Sequence, residues 1–252
     1  MNTNGKLLKQ IWYADPGVGK TVCMGSVVEV PEMMPAVCLD FEGNTDSIES
    51  KCNYLPGKND EAVKALGNPV EGKLDVCRLM CRDFGGVKDY SGIDAFNKAI
   101  NWLFSQDHPY NTVFVDSYSA FDFWLMQWVM KNFPCKRQNN DIPEYPDFRK
   151  IQMIHNEALY ALLDAPFHVI LTCQTYLEDK DEIIRPRLTG QARTALPGIF
   201  KQCAVMTALG GKRELHFQPY GRYFAKDCSE GGKFGAKIIN PTLKQIYELR
   251  NK

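Results

Sequence analysis

The stretch IWYADPGVGKT, residues 11–21, sets a buried-strand run, Ile11 to Ala14, directly before a Gly-Val-Gly turn and a Lys-Thr pair. A helix-compatible run, TVCMGSVVEV at 21–30, follows. Strand, glycine turn and helix in that order point to phosphate. Ala14 to Thr21 fits the pattern G-x-x-x-x-G-K-[ST], with alanine standing for the first glycine. In such a loop successive backbone N–H groups wrap the β-phosphate and the helix adds its partial positive end. The lysine reaches the β- and γ-phosphates, and the threonine hydroxyl ligates magnesium. The nucleotide-binding set expected here is Asp15, Pro16, Gly17, Val18, Gly19, Lys20, Thr21 and Val22. Gly17 and Gly19 permit a backbone approach to phosphate that a side chain obstructs. Alanine at 14 is compatible with the loop if its φ is negative, as expected at a strand end.

The rest of the chain narrows what this loop serves. Its 252 residues are enough for one sizeable core, and 44% hydrophobic content excludes disordered and collagen-like classes. Thirty basic and thirty acidic residues cancel, so a nucleic-acid partner has to be held by a local cationic stripe and not by the field of the whole molecule. Nine scattered cysteines, mostly inside apolar runs such as AVCLDF, read as reduced buried thiols of a cytosolic protein. Cys77 and Cys81 are expected on one strand and one side, with no second pair to complete a zinc site. No apolar leader and no run of about 18 apolar residues is present, so the expectation is a cytoplasmic protein without a membrane partner.

Strand-like runs recur at 8–14, 36–41, 75–80, 112–116 and 167–173, and helical patterns separate several of them. Such alternation predicts an α/β fold with a mostly parallel sheet covered on both faces. Helices are expected over SGIDAFNKAINWLF at 91–104, over FRKIQMIHNEALYALLDA at 148–165 before Pro166, and over the aromatic-rich YSAFDFWLMQWVM after Asp116. Residues 132–147 and 175–194 carry prolines and mixed charge and read as loops. Beyond about 203, short strands and glycine-rich turns predict a continuation of the sheet with a hairpin, closed by a helix at PTLKQIYELRNK. One domain over 1–252 is expected, with its core at about 8–210 and the C-terminal strands and helix at 211–252.

In NTVFVDSYSA an apolar strand ends at Asp116, where a carboxylate at the end of a neighbouring parallel strand holds magnesium together with Thr21. Ser117 is placed for the same network. The Lys-Thr loop, LDFEG at 39–43, VFVDS and ILTCQT, in that order, resemble the RecA-type P-loop ATPase core over about residues 8–227. The resemblance is greatest to short, phage-encoded RecA-like proteins of the single-strand annealing or recombination type. It implies ATP and Mg2+ as cofactors, and Glu42 as the carboxylate that polarises the attacking water, with Asp40 as the competing candidate. It implies that Gln174 senses the γ-phosphate and relays its state to the segment that follows. It places Lys180, Arg185, Arg187 and Arg193 near single-stranded DNA, although the intervening acids leave a solvated loop as the alternative. It implies a homo-oligomer, ring or filament, with ATP at subunit interfaces and a basic residue supplied by a neighbour. Lys226, Lys233 and Lys237 are the candidates for that residue, and Lys226 is preferred. A phage single-strand-binding protein is a further implied partner, and the compartment is then the host cytoplasm. With the loop beginning at residue 14, the long N-terminal DNA-binding region of full-length recombinases is not expected, nor is their linker contact between filament subunits.

Three functions fit these residues. The first is an ATPase acting on single-stranded DNA in recombination or annealing. The second is a motor, helicase-loading or packaging factor, and the third a nucleotide-gated assembly module with little turnover.

Overall fold

The computed structural model describes residues 7–105, 107–133, 135, 139, 142–178 and 182–252. Its strands run β1 Lys9–Tyr13, β2 Ala36–Asp40, β3 Cys52–Tyr54, β4 Leu74–Arg78, β5 Arg82–Phe84, β6 Val87–Asp89 and β7 Thr112–Asp116. They continue as β8 His168–Cys173, β9 Thr175–Glu178, β10 Ile183–Pro186, β11 Gln202–Leu209, β12 Lys212–His216, β13 Lys226–Asp227 and β14 Lys237–Ile239. The α-helices are α1 Lys20–Gly25, α2 Asp60–Lys64, α3 Ser91–Ser105, α4 Tyr118–Asn132, α5 Tyr145–Asp164, α6 Ala192–Ile199 and α7 Leu243–Asn251.

Ten strands form one sheet in the order β14-β12-β11-β1-β8-β7-β2-β4-β3, with β13 paired to β11. From β11 to β3 every neighbour along this path is parallel, and antiparallel pairing starts at β12. The expected α/β architecture and its C-terminal sheet extension are therefore present. All five residues of β1, β2 and β7 are buried, as parallel strands covered on both faces require. Alternation divides each strand between two cores. Ile11, Tyr13, Val37 and Leu39 face α3, α4 and α5 beside Phe96, Phe121 and Leu159. Trp12, Ala36 and Cys38 face the opposite layer, with Met24 of α1 and Leu243 and Ile246 of α7. Each large apolar side chain removed from water this way contributes about 1.5–3 kcal/mol. The sheet is thus pinned between two layers that leave its carboxyl ends open.

Four local expectations are corrected. β4 stops at Arg78, so Cys81 lies beyond the strand and does not share it with Cys77. Segment 175–194 is not a simple loop: β9 and β10 pair antiparallel from Thr175↔Pro186 to Glu178↔Ile183, and α6 begins at Ala192. The 148–165 helix begins at Tyr145, because Glu144 and Asp147 form a reciprocal capping box that extends it into the 132–147 stretch. The helix after the Lys-Thr pair ends at Gly25, and residues 26–29 tighten into a 3-10 turn. A Cβ on Gly25 would stand 2.6 Å from Ile48, so this helix end is packed too closely for a larger residue. The short strand β3, the hairpin β5–β6 and α2 carry no strong periodicity and are visible only in the fold.

Candidate nucleotide site

The carboxyl ends of β1, β2, β7 and β8 meet at one cavity of about 310 Å³. Pro16, Gly17, Gly19, Lys20, Thr21 and Val22 line it, together with Glu42, Asn44, Ser47, Asp116, Gln174 and Arg213. Parallel pairing explains the convergence. Residues at equivalent heights on neighbouring strands end side by side, as with Asp40↔Asp116 and Tyr13↔Cys173. Ligands in open α/β sheets gather at this edge.

The loop has the backbone its chemistry requires. Gly17 has φ +78° and Gly19 φ +114°, conformations that L side chains rarely adopt, and a Cβ at 17 would meet no atom within 4 Å. Ala14 is not among the positive-φ residues, so the missing first glycine costs the loop no backbone strain. Its N–H donates to Cys173 O at 3.2 Å, tying the loop's start to β8. Asp15 does not line the cavity; its carboxylate accepts from Thr175 Oγ1 and anchors the loop from outside. Val18 packs against the Trp12 core. Lys20 donates to the carbonyls of Ala14 at 3.0 Å and Asp15 at 3.4 Å. Burial pushes its pKa down, against the pull of Asp116 and Glu42, so the ammonium stands in an environment that rewards an added anion.

Thr21 Oγ1 donates to Asp116 Oδ2 at 3.1 Å, and Asp116 Oδ1 accepts from Thr172 Oγ1. Burial raises the Asp116 pKa, while hydrogen bonds from Thr172 and Thr21 and the charge of Lys20 oppose the rise. A hydroxyl and a carboxylate brought together from two elements are the donor set magnesium takes beside nucleotide phosphates. A magnesium ion held there would supply positive charge to offset charge developing on phosphate oxygens. Thr21 and Asp116 are the residues that would hold it. Among the described residues no cluster of three or more His, Cys, Asp or Glu side chains is arranged to hold a metal by itself, and a magnesium site completed by phosphate needs none.

Glu42 and Asp40 separate clearly in space. Asp40 is fully buried; its Oδ1 accepts from the N–H groups of Glu42 at 3.1 Å and Gly43 at 2.8 Å, and among the described residues its Oδ2 has no hydrogen-bond partner. Burial raises its pKa to about 6. It shapes the turn that presents Glu42. Glu42 lines the cavity, accepting from Ser117 Oγ and from Gln174 Nε2, the latter at 3.1 Å. The other end of the Gln174 amide accepts from Arg187 Nη1 at 3.1 Å. Ser119 Oγ donates to Arg187 O at 2.7 Å and accepts from Gln174 N at 3.0 Å.

The four cations expected near nucleic acid stand differently from one another. Lys180 lies outside the described residues. Arg185 pairs with Glu178 at 3.1 Å and lies over Phe224. Arg187 is exposed and joined to Gln174. Arg193 lies 3.6 Å over the Tyr176 ring and donates to Leu188 O. Lys226 is on β13, with its ammonium on Gly198 O at 2.8 Å, and does not line the cavity. Lys233 donates to Arg250 O and Lys237 pairs with Glu214.

Besides Asn44 and Ser47 of the lining, the sequence reading missed Thr172, which lies behind Asp116, and the cavity-lining Arg213, these two for different reasons. Thr172, which fixes Asp116, carried a usable signal: a hydroxyl within the apolar run VILTC, on the strand beside the one that ends in aspartate. Arg213 carried none, since it lies far along the chain in a strand of ordinary composition.

A strand, a glycine-bearing phosphate loop and a Thr–Asp pair at the carboxyl edge of a parallel sheet define a P-loop ATPase. The model of the AAA domain family matches residues 6–229, and the chain belongs to that family. No curated protein matches it. Among solved structures it is similar to an ATPase from the type III secretion system of pathogenic bacteria, at 14% identity and a TM-score of 0.46. That alignment covers 81% of this chain and 54% of the other, so the chain spans about half of that protein's length. Among the described residues no helix is long and apolar enough to cross a membrane.

Proposed function

We propose that this P-loop ATPase is an ATP- and Mg2+-dependent, RecA-like protein that acts on single-stranded DNA in phage recombination or strand annealing. Gln174 carries the reading. One amide touches both the carboxylate assigned to water activation and an exposed arginine of the following hairpin. A γ-phosphate that competes for either end of that amide changes the hold on Arg187, so hydrolysis and the hairpin's grip on DNA are coupled. Arg185 and Arg187 meet Glu178 and Gln174 respectively, and they offer the phosphate contacts together with Lys180 and Arg193. Subunits assemble as a ring or filament with ATP between them, and Lys226 of a neighbour is the preferred trans cation. A phage single-strand-binding protein is the accompanying partner, and the host cytoplasm the compartment.

The test is hydrolysis of ATP and GTP with and without single-stranded and duplex DNA, alongside mass measurement of the assembled state. Single strands stimulate ATP turnover in this reading. Charge reversal at Arg185 and Arg187 lowers both DNA affinity and the steepness of its salt dependence. Stimulation by duplex or protein alone transfers the protein to the motor class, and tight binding without turnover to the assembly class.

A further inference from the structure

We propose that Arg213 is a phosphate ligand of the nucleotide cavity, supplied by the same chain from beyond the parallel core; the proposal rests on reading that cavity as a nucleotide site. Arg213 stands on β12, the first antiparallel strand of the sheet extension, yet it lines the cavity with Lys20, Thr21 and Glu42. Its side chain lies across the loop. A Cβ on Gly19 would stand 2.6 Å from Arg213 Nε and 2.9 Å from both Cδ and Cζ. Glycine at 19 therefore provides room for the arginine as well as a left-handed φ.

The main chain of Arg213 is held firmly while its guanidinium is left free. Arg213 N donates to Asn240 Oδ1 at 3.1 Å, and Asn240 N donates to Arg213 O at 2.6 Å. Glu214, the neighbouring acid, is engaged elsewhere, with Lys237 at 2.7 Å and His216 at 3.2 Å. Among the described residues the guanidinium makes no hydrogen bond or ion pair.

The carboxylates of the cavity do not supply its counter-charge. Asp116 accepts from Thr21 and Thr172, and Glu42 from Ser117 and Gln174. Two cations, Lys20 and Arg213, thus face one cavity, and among the described residues no carboxylate is hydrogen-bonded to either. A polyphosphate satisfies both. Guanidinium presents its donors in a rigid fork that matches phosphate oxygens two at a time, and it is weakly hydrated, so bringing it to an anion costs little.

The experiment titrates the full-length protein with two probes in the presence of magnesium: a non-hydrolysable ATP analogue and tripolyphosphate, which has no base or sugar. Arg213→Ala is expected to weaken both by about 10- to 100-fold, the range of hydrogen bonds between charged groups. Arg213→Lys should recover part of that loss, because it keeps the charge without the fork. Lys212→Ala, which removes the same charge from the adjacent exposed position, should bind both probes as the native protein does. Arg213 is exposed, so its thermal unfolding should match the native chain and the affinities compare folded states. Unchanged affinity of Arg213→Ala for both probes overturns the proposal. So does a loss confined to the ATP analogue, which would move the contact to base or ribose. Equal losses in Lys212→Ala would reduce the effect to general charge and overturn it as well. If the native protein binds neither probe, the nucleotide reading itself fails; if only Arg213→Ala is silent while Lys20→Ala abolishes binding, the cavity assignment stands without Arg213.

Discussion

Gln174 Nε2 donates to Glu42 Oε1 at 3.1 Å, across 132 residues of chain. Neither residue belongs to the phosphate loop, and the contact exists because β2 and β8 end at the same edge of one sheet. It joins the carboxylate proposed for water activation to the amide proposed to sense phosphate.

If Glu42 orients the attacking water, Glu42→Gln should preserve nucleotide affinity and cut turnover by about 10²-fold or more, since general-base contributions run about 10² to 10⁴. The amide oxygen that replaces Oε1 still accepts from Gln174. Single-turnover hydrolysis beside calorimetric titration reads both quantities, and an unaltered rate removes Glu42 from the role.

Asp40→Asn distinguishes the two neighbouring acids. Asn Oδ1 keeps the bonds from Glu42 and Gly43, so hydrolysis should persist. Stability should change with pH. The Asp40 carboxyl is raised to about 6 from 3.8, so the folded state holds more protons between those values, and stability drains away as pH rises through 6. The variant should gain about 1–3 kcal/mol at pH 8 and nothing near pH 4, with the buried amide N–H2 offsetting part of the gain. Urea unfolding at the two pH values measures it; loss of hydrolysis would return Asp40 to the chemistry.

Lys20→Ala should abolish measurable nucleotide binding in a calorimetric titration and leave the circular dichroism unchanged. Among the described residues its ammonium bonds only to the carbonyls of Ala14 and Asp15, so no core contact is lost. Retained affinity would defeat the cavity's assignment.

Gln174→Ala should leave ATP affinity within a few-fold and free Arg187, whose Nη1 loses its acceptor. Hydrogen exchange of Ile183 to Leu188, measured with and without an ATP analogue, should then respond less to nucleotide than in the native protein. An identical response would break the proposed link between site and hairpin.

His168 makes stability sensitive to acid. Nδ1 accepts from Leu8 N at 2.9 Å, which requires the neutral ring, and burial together with nearby Lys9 lowers its pKa to about 4. Between about 4 and 6.5 the unfolded chain binds the extra proton, so stability falls as pH is lowered through that window, by on the order of 3 kcal/mol at its foot. His168→Gln should flatten this part of the stability curve in denaturant titrations at pH 4.5 and 7. A slope equal to that of the native protein would assign the acid sensitivity elsewhere.

The sequence alone determined what local patterns can carry. Gly-Val-Gly-Lys-Thr after Ile11 to Ala14 specified a phosphate loop, because its glycines and its lysine act through neighbouring backbone. The runs at 36–41, 112–116 and 167–173 announced parallel strands, since burial on both faces demands continuous apolar residues. Asp116 was legible as the residue that ends an apolar strand, whereas Glu42 entered only through the resemblance to RecA-type ATPases. Tertiary structure alone decided the rest. Thr172 meets Asp116, and Arg213 crosses Gly19, through strand order and register, which no window of sequence encodes. The hairpin over 175–186 hid behind loop-like composition, because its pairing is stabilised by Glu178, Arg185 and Phe224 brought together after folding. The division between Asp40 and Glu42 likewise came from burial, a property of the packed sheet and not of two letters separated by one residue in the chain.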